Sequence, residues 1–378
     1  MCGSMARLIP TPSRGDSVKA PIVVGTGLVA LDVVIRGKGS KSLRRCVGGT
    51  CGNVLTILQY LGWNAVPVAR LASDRARAVV EADLNRWHVD TRFLGVTPVA
   101  STPVFVERLL QDANGSPVHR FPRMCPCCGA WLPRYTPVTV RSTASVLEHV
   151  PTPSVFFFDR PSPGAVALAT SYVKRGTLVM FEPSAGGDPD LFRAALEIAD
   201  VIKYSDERFA TLPPHKARVS RRLEVQTFGA AGLRYRMGEG RRLGTWRHLR
   251  SIKTASVVDT AGAGDWCTAG MLTHLGGGGR EGFEQVTDDK LAESLRYGQA
   301  LAAWNCGFES ARGGMYERTR KQFESDVAAL MAGNNQVLPS RLDSSVGELL
   351  GEICPACPMR GEDGAKTPKK VRLAERRT

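Results

Sequence analysis

From residue 155 onward, short apolar runs alternate with helix-length segments, and this alternation restricts the architecture more than any other feature. Val155-Phe156-Phe157-Phe158 reads as a strand ending in Asp159-Arg160. A helix follows over 164–174, a strand over 177–181 ending in Glu182, a helix over 190–199, and a short strand at Val201-Ile202-Lys203. Repeated strand–helix units fold as a parallel sheet covered by helices on both faces. Ligands of such sheets bind beyond the carboxyl ends of the strands. Asp159, Arg160, Glu182 and Lys203 are all expected at such ends, so charged residues gather along one sheet edge. Earlier in the chain, 21–25 reads as another buried strand. Gly48-Gly49-Thr50-Cys51-Gly52-Asn53 leads into a helix carrying Val54, Leu55, Ile57, Leu58 and Leu61 on its apolar positions. A further helix is expected over 73–88, with Ser73 as its cap.

The most chemically pointed stretch is Asp259-Thr260-Ala261-Gly262-Ala263-Gly264-Asp265, followed by a helical run from Trp266. Residues with almost no side chain at a helix start let an anion reach the free backbone N–H groups. A carboxylate there is badly placed to hold phosphate, because like charges repel. It is well placed to take a proton from a hydroxyl that attacks phosphorus. Asp265 thus reads as a general base, with the N–H groups of Gly262, Ala263 and Gly264 as an anion hole. The bland reading of Asp265 is a helix cap. Gly-x-x-x-x-Gly-Lys-Ser/Thr does not occur, so a P-loop is not the phosphate binder. Gly25-Thr26-Gly27 fits a dinucleotide fold poorly: strand residues Val33-Val34-Ile35 follow it, and no acid stands about 20 residues downstream.

The 259–265 motif resembles the signature of the ribokinase-like (PfkB) carbohydrate kinases, and looser resemblance extends over about 21–333. The resemblance implies a three-layer α/β/α domain with a mostly parallel central sheet and a small β lid. It implies ATP-dependent transfer of a γ-phosphoryl to a hydroxyl of a sugar or nucleoside-like small molecule. It puts Asp32, Gly48, Gly49 and Asn53 on the acceptor, with Asp159 and Arg160 lining the same pocket. Lid strands are expected over about 33–47 and 99–110, and homodimerisation through them is an added expectation. Lys203, Ser205 and Glu207 fall in the family's Asn-x-x-Glu region, where Ser205 stands for Asn and Arg208 falls where Glu is expected. Thr227, Gly229 and Gly232 match the turn beneath the ATP phosphates, although taken alone these residues read equally well as a simple hairpin turn. The loop 311–315 would wall the adenine. Implied cofactors are ATP and Mg2+, with Glu182 near the magnesium and a monovalent cation as a further candidate.

Cys125-Pro126-Cys127-Cys128 and Cys354-Pro355-Ala356-Cys357 each contain the Cys-x-x-Cys spacing that grips a tetrahedral zinc. One structural Zn2+ held by Cys125, Cys128, Cys354 and Cys357 is the resulting expectation, with redox pairs or unrelated thiols as alternatives. The domain plan is a leader over 1–20, the kinase domain over 21–335 with a Cys-containing insertion at about 119–137, and a tail over 336–378 with a basic end. No run of about 18 apolar residues suggests a membrane span, and no signal-peptide core is apparent, so a cytoplasmic location is expected. The net charge of +14 suits anionic ligands. It also permits an alternative reading, a nucleotide- or sugar-sensing regulatory protein that touches nucleic acid through its basic surface; nucleic acid is not the favoured partner.

Overall fold

The computed structural model describes residues 19–36, 43–96, 101–113, 117–184, 186–217, 219–240, 242–334 and Cys354. Most of the expected leader, Cys357 and the basic end at 366–378 lie outside the described residues. The main sheet has ten strands: β1 (Ile22–Thr26), β4 (Asn64–Leu71), β5 (Leu94–Val96), β8 (Val155–Phe158), β9 (Leu178–Phe181), β10 (Val201–Ser205), β11 (Arg221–Thr227), β12 (Leu233–Glu239), β13 (Arg242–Leu243) and β14 (Arg247–Leu249). Their order is β13-β12-β11-β10-β9-β8-β1-β4-β5, with β14 also on β12. Pairing is parallel from β11 across to β5 and antiparallel beyond β11. A separate four-stranded sheet, β3-β2-β6-β7, is built from β2 (Ala30–Arg36), β3 (Leu43–Gly48), β6 (Val104–Gln111) and β7 (Pro117–Arg120). This is the expected lid, with one more strand than the sequence suggested. Val104-Phe105-Val106 does pair with β2, in parallel, with Asp32 opposite Phe105.

Ten helices complete the chain: α1 (Thr50–Tyr60), α2 (Arg75–Arg86), α3 (Val140–His149), α4 (Pro163–Val173), α5 (Pro189–Ile198), α6 (Ala263–Leu275), α7 (Gly279–Glu284), α8 (Asp288–Asn305), α9 (Gly313–Glu317) and α10 (Arg320–Met331) among the described residues. The central strands read as continuous apolar runs because both faces are covered. Val155 and Phe157 of β8 face the core shared with α1, α6, α8 and α10; Phe156 and Phe158 face the core of α3, α4 and α5. Three layers follow directly from that alternation.

Local chemistry sets the helix starts. Ser162 accepts the Ala165 N–H and Pro163 sits at the first turn of α4. The cap of α2 is Asp74 rather than Ser73: its carboxylate accepts the Arg77 N–H at 2.9 Å. The loop expected at 311–315 is partly helical, forming α9. Among the described residues, no helix is long and apolar enough to cross a membrane.

Helix α6 carries the signature stretch and packs most closely on α8. The crossing is tight because glycines meet: a Cβ on Gly270 would lie 2.8 Å from Gly298 Cα, and one on Gly298 would lie 2.5 Å from the Cys267 carbonyl oxygen. We expect Gly298→Ala to destabilise the protein by about 1–3 kcal/mol, because backbone cannot rotate away as a side chain can. The steric cost exceeds the helix-propensity gain of up to ~1 kcal/mol. Urea unfolding checks this; an unchanged or higher midpoint contradicts it.

Candidate active site

The turn before α6 closes on the loop at 309–311. Gly262 has φ 72°, and a Cβ there would lie 2.3 Å from the Ala311 carbonyl oxygen, so only glycine fits. Asp259 fastens the two segments: one carboxylate oxygen accepts the Ala261 N–H at 2.7 Å and the other the Ser310 N–H at 2.8 Å. Trp266 Nε1 and Asn305 Nδ2 both donate to the Ala311 carbonyl. The helix start is therefore rigidly held, with first-turn N–H groups that have no intrahelical acceptor. Ala263 departs from the expected anion hole, because its N–H closes a turn onto the Thr260 carbonyl at 3.2 Å. Gly262 and Gly264 are better placed for that role.

Asp265 lies in this first turn and is 9% exposed. Burial pushes its carboxyl up to about 7, with the Glu182 charge adding to the rise and the Asn53 hydrogen bond opposing it. Asn53 Nδ2 donates to Asp265 Oδ2 at 2.8 Å. Asn53 was expected on the acceptor, but both its ends are engaged: Arg312 Nε donates to Asn53 Oδ1 at 3.1 Å. Arg312 in turn donates to Asp83 Oδ2 at 2.8 Å and the Val47 carbonyl at 2.6 Å. Asn53 is thus a positioning residue in a chain running Asp83–Arg312–Asn53–Asp265. Arg312 and Asp83 carried no signal in the sequence, since a lone Arg and a lone Asp 229 residues apart look like surface charge.

Asp32 comes from lid strand β2 and overlies the glycines before α1. A Cβ on Gly48 would lie 1.8 Å from the Asp32 carboxyl carbon, so that residue must lack a side chain. Gly49 stands at φ 76° and its N–H is hydrogen-bonded to the Asp32 carboxylate. Burial raises the Asp32 carboxyl to about 7, the Glu107 charge adds to this, and Arg312 opposes it. Asp265 also contributes to that rise, so the two carboxyls lie within electrostatic reach of each other.

Asp159 and Lys203 need correction. Asp159 is fully buried and accepts the Leu28 N–H at 2.8 Å and the Ser184 hydroxyl at 3.1 Å. A side chain on Gly27 would collide with it at 1.7 Å. It clamps β8 to the loop leaving β1. Arg160 pairs with Asp159 at 3.7 Å and lies over the Tyr135 ring at 5.5 Å. Lys203 sits mid-strand in β10, not at its end, and is buried with its Nζ 2.6 Å from Glu182 Oε1. Thr268 donates to the other Glu182 oxygen at 2.5 Å. Each Glu182 oxygen thus accepts one hydrogen bond from a buried neighbour. The pair lies beneath the helix start: a Cβ on Gly264 would be 3.7 Å from Lys203 Nζ.

Ser205 and Thr227 stand opposite each other at the carboxyl ends of β10 and β11. Gly229, at φ 52°, and Gly232, at φ 105°, turn β11 into antiparallel β12, so this motif is a hairpin in the backbone sense. Glu207 and Arg208 are exposed beside it. The Arg208 charge is nonetheless felt at Asp265, where it lowers the carboxyl.

The lid is latched onto the signature loop by residues the sequence did not single out. His119 of β7 places Nε2 3.2 Å from Thr260 Oγ1 and 3.4 Å from Asp259 Oδ1. Its Nδ1 makes a short hydrogen bond with Glu107 of β6. That hydrogen bond raises the imidazole above its ordinary value, burial opposes the rise, and Asp259 adds to it.

No protein-family model matches the chain. By sequence, a fructokinase of Klebsiella pneumoniae is 26% identical over 269 residues, covering 66% of this chain and 82% of that protein. Among solved structures, the aminoimidazole riboside kinase of Salmonella enterica, complexed with aminoimidazole riboside and an ATP analogue, has a TM-score of 0.59 at 19% identity; the match covers 81% of this chain and 99% of that one. The ribokinase of Arabidopsis thaliana, complexed with ribose and ATP, has a TM-score of 0.58 at 17% identity, covering 83% and 99%.

The latch gives a direct test. The His119 imidazole is expected to titrate above the usual histidine range, and Glu107→Gln is expected to bring it down. Two-dimensional NMR of the ring resonances against pH measures both; an imidazole unmoved by Glu107→Gln contradicts the assignment.

Proposed function

We infer that this chain, a ribokinase-like (PfkB) carbohydrate kinase by its fold and signature loop, transfers the γ-phosphoryl of ATP to a hydroxyl of a sugar or a sugar-containing small molecule. One juxtaposition carries this reading: Asp265, buried and held by Asn53, stands in the first turn of α6 beside Gly262 and Gly264, within electrostatic reach of Asp32 of the lid. The acceptor is held by Asp32 and by backbone at Gly48 and Gly49. Its reacting hydroxyl gives its proton to Asp265, its oxygen bonds to the γ-phosphorus, and ADP leaves. The Gly262 and Gly264 N–H groups, with the helix dipole behind them, stabilise charge on the transferring phosphoryl. Lys203 and Glu182 form an ion pair that supports the helix start from beneath. Ser205, Thr227, Gly229 and Gly232 border the nucleotide along the β10–β11 edge. Magnesium bound to ATP would neutralise phosphate charge. The lid, latched by His119, excludes water that would otherwise compete as acceptor.

A carboxyl held near neutrality suits a general base working at physiological pH. Its raised value means that the ionised, active form is lost as pH falls. We expect kcat/KM to have an acid limb with a midpoint near 7, falling below that pH and reaching a plateau above it. A flat profile from pH 5.5 to 8.5, about a decade and a half of proton activity on either side of neutrality, would contradict this assignment.

Asp265→Asn is expected to lower kcat by about 10²–10⁴-fold, the usual worth of a positioned base, while leaving ATP affinity nearly intact. ADP release across a panel of sugars and nucleosides identifies the acceptor and measures the loss. Near-normal turnover by the variant on the best acceptor would remove Asp265 from the mechanism.

A further inference from the structure

We propose that Cys125, Cys128 and Cys354 are thiolate ligands of one structural zinc ion, which ties the C-terminal part of the chain to the segment that follows the lid. This inference is independent of the reaction. The three sulfurs lie within 4.8 Å of one another although Cys354 is 226 residues beyond Cys128. Cys128 Sγ and Cys354 Sγ are 3.8 Å apart. That is far beyond a disulfide, about 2.05 Å. It equals the edge of a tetrahedron with zinc–sulfur bonds of about 2.3 Å, which is ~3.8 Å.

The backbone around the first pair has the form of a metal knuckle. Gly129, at φ 74°, donates to the Cys125 carbonyl at 2.9 Å and so turns the chain back sharply. The Cys127 N–H donates to Cys125 Sγ at 3.4 Å. Amide hydrogen bonds to sulfur stabilise a thiolate and fix its direction toward a metal. The turn sits on a short antiparallel ribbon: Cys125 N–H to the Ala130 carbonyl at 2.7 Å, a bridge between Met124 and Trp131, and Leu132 N–H to the Arg123 carbonyl at 3.0 Å. Cys125 and Cys354 are buried in the main core, so the site is closed to solvent on two sides, with Cys128 facing out. A closed, all-sulfur set selects zinc over magnesium or calcium, which prefer oxygen. Binding releases a proton from each coordinating thiol, and the zinc ion comes from the surrounding medium. Cys127, exposed like Cys128, is not among the three clustered sulfurs. The sequence spacing of Cys357 from Cys354 suits a fourth donor, but that residue lies outside the described residues.

The ribbon continues into the lid. The Val104 N–H at the start of β6 donates to the Pro133 carbonyl at 3.2 Å, just past the knuckle. Zinc here would therefore stiffen the base of the strand that carries Glu107. Full-length protein, expressed with added zinc and purified without chelator, is expected to hold about one zinc per chain by plasma emission after gel filtration. Cys128→Ser and Cys354→Ser are each expected to lose at least about tenfold of that zinc, and Cys127→Ser to keep it. Because a ligand variant can fail to fold, the wild-type protein is also grown with cobalt, where intense sulfur-to-cobalt bands are expected. Wild-type protein lacking both zinc and those bands overturns the proposal. So does a Cys128–Cys354 disulfide in freshly prepared protein mapped without reductant, or zinc kept in full by a folded Cys354→Ser variant.

Discussion

The site depends on a buried guanidinium. Arg312 is fully buried, and it joins Asp83, the Val47 carbonyl and Asn53 in one hydrogen-bonded set. Tyr316 reinforces it by donating to Asp83. Burying such a charge is costly unless it is paired, and removing one partner of a buried pair typically costs about 3–5 kcal/mol. The pairing has a geometric result. Asn53 cannot rotate, because its carbonyl end is fixed by Arg312, so its amide end must face Asp265. Asp265 keeps its aim without a direct positive partner, and its carboxyl stays near neutrality instead of being driven down by a salt bridge. A lysine or arginine touching Asp265 would make it a poorer base.

The same set joins the two ends of the fold. Val47 belongs to β3 of the lid, Asp83 to α2, Asn53 to α1 and Arg312 to the loop before α9. Asp259 bonds that loop to the start of α6, and His119 bonds Asp259 and Thr260 to the lid. Base, anion-binding turn and lid therefore share one network on buried acids. A shift at any member is felt at the others, since low local dielectric strengthens each hydrogen bond and makes a broken one expensive.

Much of the fold was legible because its signals are local. Four-residue apolar strands, helix-length spacers and the Gly262–Gly264 turn depend on neighbours in sequence, and their order alone implies parallel pairing. The lid was legible only in outline; β7 adds a strand that sequence patterning did not call. The positions that sequence leaves ambiguous share one cause. Asp159, Lys203 and Asn53 are polar residues near strand or helix ends, where a ligand contact and a buried protein contact look alike in sequence. The structure separates them by partner: Leu28 and Ser184 for Asp159, Glu182 for Lys203, Arg312 and Asp265 for Asn53. Glu107, His119, Asp83 and Arg312 were missed because each works through partners distant in the chain. A His-x-x-x pattern or a lone buried Arg has no spacing rule to reveal it.

The departure at Arg208 bears on how the charge of the site is balanced. An acid is expected there on the resemblance; an exposed arginine stands in its place, and its charge reaches Asp265. Replacing a negative charge by a positive one shifts the local potential in favour of phosphate and against a hydrated cation. Glu182 is already held by Lys203 and Thr268, one on each oxygen. On the proposed reaction, Arg208 at the rim would add fixed positive charge beyond what the resemblance implies, whereas the charge of Lys203 is balanced by Glu182. A protein cation stabilises developing phosphoryl charge by the same electrostatic rule as a metal, but it cannot leave with the product. On the proposed mechanism, the altered motif would move part of the metal's electrostatic task onto the chain and leave Asp265 as the proton acceptor.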